Sequence, residues 1–265
     1  MIDNVLLAFL ITCAAGLATV LGSVLVFFQK SPSPRVLAFG LAFAAGAMVF
    51  VSLTEIFSKA VQSFTTGGHL GFVWATAAFL AGLLAILALD HLIPNPHETL
   101  DVNDPRFQDQ NQSYLKRIGL MSAFAITAHN FPEGLATFFA TLDSPTIGAP
   151  LAFAIAVHNI PEGISIAAPI YFATQNKRLT VVACLISGLA EPLGAVMGYF
   201  ILRPFLSPDI FGWVFGMIAG TMVFLAMDEL LPAAKRYSAG HETVYGLVGG
   251  MAVISISLAL FSMQQ

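Results

Sequence analysis

Two six-residue units, His129-Asn130-Phe131-Pro132-Glu133-Gly134 and His158-Asn159-Ile160-Pro161-Glu162-Gly163, stand 29 residues apart and differ only at Phe131 and Ile160. Within each unit His and Glu are spaced i and i+4, and Asn lies three residues before Glu. On a helix this spacing projects an imidazole, an amide and a carboxylate toward one region. Pro132 and Pro161 each remove a rung of the helical ladder, which frees the carbonyls of Ala128 and Val157 and predicts a kinked, broken helix beside those side chains. Glu191, followed by Pro192, offers a third acidic group. Imidazole mixed with carboxylate suits Zn²⁺, Fe²⁺, Mn²⁺ or Co²⁺, whereas Ca²⁺ and Mg²⁺ prefer all-oxygen shells and Cu⁺ prefers sulfur. With Asn130 and Asn159 as neutral oxygen donors, there are ligands for two adjacent metal positions, one His-rich and one rich in carboxylate and amide.

A lone histidine or a lone Pro-Gly kink is ordinarily structural. Duplication of the whole unit is what favours the metal. The surroundings reinforce it, because Glu133, Glu162 and Glu191 fall near the middle of long apolar stretches. A charged side chain there costs roughly 2.5 to 3.5 kcal/mol on insertion scales. No Lys or Arg lies at comparable depth, so the missing counter-charge is a transported cation or protons.

The elements that must position these groups are membrane spans. Of 265 residues, 57% are hydrophobic and 10% charged, against roughly 25% charged in soluble domains. The net charge of -4 leaves no surface for nucleic acid and no polybasic anchor. A bilayer core takes about 20 apolar helical residues, and eight segments meet or approach that length: Val5 to Phe28, Val36 to Ser58, Leu70 to Leu89, Ile118 to Leu142, Ile147 to Phe172, Leu179 to Leu202, Ile210 to Leu231 and Val244 to Phe261. The chain is thus expected to be all-α and polytopic, one transmembrane transporter domain over 1–265. The opening Met1-Ile2-Asp3-Asn4 carries no cation and precedes an apolar run too long for a signal-peptide core, so it reads as a retained first span.

Nine of the eleven Lys and Arg residues fall in four alternate loops: Lys30 and Arg35; Arg106, Lys116 and Arg117; Lys177 and Arg178; Lys235 and Arg236. By the positive-inside rule those loops are cytoplasmic and both termini are outside. The longest, 94–114, connects spans three and four and is too polar to pack a core. Cys13 and Cys184 sit in separate apolar stretches and form neither a disulfide framework nor a thiolate cluster. Small residues recur at helix-packing spacing in Gly212, Gly216 and Gly220 and in Gly194 and Gly198, which serves packing within one subunit or, alternatively, a homodimer. Spans four and five run antiparallel, so their hexads can meet about a two-fold axis in the membrane plane.

These features resemble the ZIP family of divalent-metal transporters, in particular its short bacterial zinc-uptake branch. The resemblance rests on the paired hexads, on Ser187-Gly188-Leu189-Ala190-Glu191-Pro192, on Ala226-Met227-Asp228-Glu229-Leu230-Leu231-Pro232 and on eight spans. It implies a 3+2+3 arrangement of helices with an inverted repeat, in a plasma membrane that would be the bacterial inner membrane. It also implies a mid-membrane binuclear site: His129, Glu133, His158 and Glu162 at one position, Asn130, Asn159, Glu162 and Glu191 at the other, with Glu162 bridging. The loop often His-rich in the family holds here only His97 with Glu98 and Asp101. Acidic groups at the span ends would serve as vestibules, Glu55 outside and Asp90, His91, Asp228 and Glu229 at the cytoplasmic exit.

The expected function is movement of zinc, and also iron, manganese, cobalt or cadmium, into the cytoplasm, with the metal as cargo and no catalytic cofactor. No GxxxxGK loop is present, so the chain itself does not couple to ATP. An intramembrane metallohydrolase would need HExxH, which the sequence lacks; the chain is not read as an enzyme. The remaining alternative is a proton-coupled carrier of an organic solute with His and Glu as relay.

Overall fold

Long runs of Ala, Leu, Val, Ile and Phe, interrupted by Pro and Gly at span ends, leave helix as the sole way to satisfy backbone polar groups in hydrocarbon. The computed structural model describes residues 2–28, 33–64, 68–90 and 112–263. Among these residues there are helices and no strands: α1 Ile2–Val26, α2 Pro34–Ser63, α3 Gly68–Asp90, α4 Gln112–Asp143, α5 Pro145–Thr174, α6 Lys177–Leu202, α7 Pro208–Tyr237 and α8 Glu242–Ser262. Seven of them are long and apolar enough to cross a membrane. The exception is α4. Its 32 residues rise roughly 48 Å, so it falls short in composition rather than in length, carrying Lys116, Arg117, His129, Asn130 and Glu133.

The helices begin where local chemistry dictates. Ser33 caps α2 through the Val36 amide at 3.4 Å, and Ser207 caps α7 through Ile210 at 3.3 Å; Pro follows each Ser, pre-set for the first turn. Asn176 caps α6 through Leu179, just after Gln175 closes α5 in a left-handed conformation (φ 51°). Both α2 and α7 then pass through one π turn, Ser52–Ile56 and Ala226–Leu230, and continue as α-helix for a further 7 residues. Their ends therefore lie beyond the expected Ser58 and Leu231. The expected breaks at Pro132 and Pro161 do not occur: α4 and α5 run unbroken through both prolines, because neighbours on several sides hold the helix through the missing rung.

Helices α1, α4, α5 and α6 pack into one four-helix group. α8 lies along α2 and α3 along α7, and α2 and α7 attach these pairs to α5 and α4 respectively. The interior is alanine-rich, and the outward faces of α1, α3, α6 and α8 expose Leu6, Leu21, Leu84, Leu193, Val248 and Ile256. Apolar side chains both inside and outside are what a lipid solvent permits. The glycine stripes are used within the chain. Gly212 meets the Phe64 ring, Gly216 meets Ala78, and Gly220 lies against the Phe79 carbonyl of α3, while Gly194 lies against the Phe131 carbonyl of α4. Contacts also recur in pairs. A Cβ at Gly46 or Gly250 would strike the carbonyl of Leu247 or Phe43 between α2 and α8, and one at Gly220 or Gly82 would strike that of Phe79 or Met217 between α7 and α3. At span ends, Lys59 of α2 bonds Asp143 of α4 at 2.5 Å, and Arg35 meets Glu242 of α8 at 3.4 Å. Cys13 and Cys184 are free thiols, as expected.

Candidate metal centre

The α4 hexad turns its polar face into the four-helix group, where His129, Asn130 and Glu133 are all buried. His129 Nδ1 lies 2.8 Å from the Ala125 carbonyl. A carbonyl can only accept, so Nδ1 carries the proton and Nε2 presents its lone pair, the tautomer of a metal ligand. Asn130 Nδ2 donates to the Ser187 carbonyl at 3.0 Å and to its hydroxyl at 3.3 Å, which aims Oδ1 elsewhere, without a hydrogen-bond partner. Gly134 completes the hexad for a packing reason: a Cβ there would overlap the Glu191 backbone of α6.

The α5 hexad repeats this plan. Asn159 Nδ2 donates to the Ala15 carbonyl of α1 at 2.9 Å and to Glu191 Oε1 at 2.5 Å. Gly163 lets the Thr19 carbonyl of α1 approach as Gly134 admits Glu191. His158 Nε2 lies 3.3 Å from Glu133 Oε1, joining the two hexads. Ligand atoms of Glu133, His158 and Glu162 all lie within 4.8 Å of one another, and all three residues are fully buried. Glu133 Oε2, both Glu162 oxygens, Glu191 Oε2, Asn130 Oδ1 and Asn159 Oδ1 have no hydrogen-bond partner. Six buried acceptors facing no donor are unfavourable unless a cation meets them. Glu133, His158 and Glu162 bring one imidazole and two carboxylates into one small volume, with Glu191 bonded to the neighbouring Asn159, a donor set of the borderline softness that Zn²⁺ or a similar ion takes.

The contacts of His158 with Glu133 and of Asn159 with Glu191 bring together residues that the sequence reading offered as candidates. The sequence placed Glu229 at the end of the seventh span, whereas α7 continues to Tyr237, and Glu229 Oε2 stands 3.6 Å from His129 Nε2. His129 thus faces Glu229 as well as the hexads. Two lone-pair atoms at that separation invite a cation or a proton between them. Sequence reasoning also missed Ser187, which orients Asn130. Its signals were its place at the head of the motif that ends in Glu191-Pro192 and its position one helical turn before Glu191. Asp228 is exposed beside Glu229, and Glu55 is partly buried in the π turn of α2. Asp90 ends α3, while His91, His97, Glu98, Asp101 and most of the 94–114 loop lie outside the described residues.

A family profile described as ZIP Zinc transporter matches residues 96–258. Curated relatives match over nearly the whole chain. The zinc transporter ZupT of Neisseria meningitidis serogroup B is 67% identical over 262 residues, covering 98% of this chain and 97% of the relative. That of Stenotrophomonas maltophilia is 63% identical over 261 residues with the same coverages. That of Chlorobium chlorochromatii is 48% identical over 268 residues, 99% of this chain and 100% of the relative. Identity of this extent, over helices that bring the duplicated hexads together, establishes that the chain belongs to the ZIP zinc transporter family.

Proposed function

We propose that the protein carries divalent transition-metal ions, zinc foremost, into the cytoplasm across a bacterial inner membrane. The observation that carries this reading is the buried cluster of Glu133, His158 and Glu162, with ligand atoms within 4.8 Å of one another, in a helix group where oxygens of Glu133, Glu162, Glu191, Asn130 and Asn159 have no hydrogen-bond partner. The printed names of the relatives, zinc transporters all, support the same cargo. The metal is transported rather than resident, and no reaction is catalysed. Glu133, His158 and Glu162, with His129, hold one ion. Asn130, Asn159 and Glu191 share Glu162 with them to hold a second.

With α4 counted as a span there are eight, and both ends face outward. The order of cations along the chain supports this orientation. The paired glycine contacts of α2 with α8 and of α7 with α3 support an inverted repeat around α4 and α5 in a 3+2+3 layout. In that frame an ion enters past Glu55, is stripped of water among the hexads, and passes from His129 to Glu229 and Asp228 toward the cytoplasm. Asp90 and His91 complete the exit. Because both glycine stripes are occupied within the chain, a homodimer would use a different face.

Reconstituted protein in liposomes, loaded with a zinc-sensitive dye and challenged with external Zn²⁺, tests the reading. Uptake should be saturable, and abolished by Glu162→Ala. A correctly inserted wild-type protein that admits no divalent metal would overturn it.

A further inference from the structure

The four-helix group repeats its contacts in two halves, and the correspondence identifies which residue of α1 stands where Glu191 stands on α6. Gly16 and Gly188 touch reciprocally, each lying against the other's carbonyl. Asn130 donates to the Ser187 carbonyl, and Asn159 donates to the Ala15 carbonyl. Gly194 meets the Phe131 carbonyl, and Gly22 meets that of Ile160. Gly134 meets the Glu191 backbone, and Gly163 meets that of Thr19. Ser187 therefore corresponds to Ala15, and Glu191 to Thr19.

Thr19 is fully buried, and its Oγ1 has no hydrogen-bond partner. Other fully buried threonines within helices bond the carbonyl four residues back, as Thr12 does to Ala8, Thr137 to Glu133 and Thr141 to Thr137. For Thr19 that carbonyl belongs to Ala15, and it already accepts from Asn159. The hydroxyl is thus left over on the residue one helical turn beyond Ala15, whose carbonyl holds the Asn159 amide that also bonds Glu191. Thr19 Cβ lies 3.5 Å from where a Cβ on Gly188 would sit, and Glu191 Cβ lies 3.3 Å from the same point on Gly16, so the two side chains flank one helix crossing.

We infer that Thr19 Oγ1 is a further oxygen donor to the divalent cation at the amide-bearing end of the site, on the Asn130 side where Glu191 stands on the Asn159 side, and the neutral counterpart of the Glu191 carboxylate. The duplicated scaffold offers two equivalent slots, and filling one with a hydroxyl keeps the site from gathering a fourth buried carboxylate. A cation held there meets one charged and one neutral wall, which limits how tightly it is retained. The inference rests on the metal-transport reading.

Two variants test it, in proteoliposome uptake and in equilibrium titration of the purified protein with Zn²⁺ and Cd²⁺. Thr19→Val keeps the shape and removes the oxygen. It should raise the KM for Zn²⁺ about fivefold, the scale of one neutral oxygen interaction, with kcat little changed and binding weakened to match. Thr19→Cys replaces the oxygen with sulfur and should shift the Cd²⁺ over Zn²⁺ preference toward Cd²⁺ by about tenfold. If Thr19→Val fails to insert, the Thr19→Cys selectivity decides alone, since a residue that merely packs would not move a ratio between two metals. Wild-type KM and binding in Thr19→Val, or an unchanged metal ratio in Thr19→Cys, overturns the inference while leaving transport itself intact. A wild-type protein without uptake overturns the underlying reading instead.

Discussion

The carboxylate proposed to bridge and a neutral amide are not equal losses. Glu162→Ala removes both unpartnered oxygens from the centre, whereas water can stand in for Asn159 Oδ1. Zinc uptake per inserted protein should therefore vanish in the first variant and survive at a reduced level in Asn159→Ala; equal loss in both would remove Glu162 from its bridging role. Protons compete for the same lone pairs. An ordinary imidazole titrates near 6.5, and it must be neutral to bind metal. Uptake at fixed free Zn²⁺ should accordingly fall as external pH drops from about 7.5 to about 5.5; a rising rate over that range would indicate proton-driven transport. If two positions exist as proposed, softness divides them: Glu191→Gln should depress Mn²⁺ uptake more than Zn²⁺ uptake, and His129→Ala should do the reverse, as competitive uptake of the two metals would report. Much of this centre was legible in the chain, because i, i+4 spacing fixes which side chains share a helix face whatever the tertiary packing. Glu229 was not legible at the centre. Its approach to His129 depends on how α7 crosses α4, which leaves no local trace.

At the scale of the helix, the last residue of each hexad belongs to packing rather than to coordination. Gly134 and Gly163 admit the backbones of Glu191 and Thr19, and both partners are main chain, which cannot rotate away. Gly134→Val should push α6 off α4 and displace Glu191, lowering the thermal stability of the purified protein and its zinc affinity together. A variant of wild-type stability and affinity would refute that account. The eight helices could be read from apolar run lengths, and their ends moved outward wherever Ser-Pro or Asn caps and late turns extended them. The unbroken course of α4 and α5 through Pro132 and Pro161 could not be read, since proline reports a lost hydrogen bond and not what the neighbouring helices do about it. The polar character of α4 has a similar origin, for the residues that lower its hydropathy include those that build the centre.

Across the whole molecule, the proposed orientation rests on the placement of cations. An epitope tag appended after Gln265 should be reached by an impermeant reagent from outside the cell, and one inserted between residues 94 and 111 should not. The reverse pattern would invert the direction proposed for the path. The π turns of α2 and α7 carry their own implication. Each holds one residue more than a uniform α-helix of the same span would need. Elsewhere in a helix, losing a residue swings everything beyond it by about 100°. At a π turn the loss removes only slack, and the far end keeps its heading. Evolution could therefore shorten α2 or α7 by one residue at Leu53 or Met227 and keep Lys59 against Asp143 or the heading of the Leu231–Tyr237 end of α7, an economy of sequence that the same deletion at Met222 would not permit.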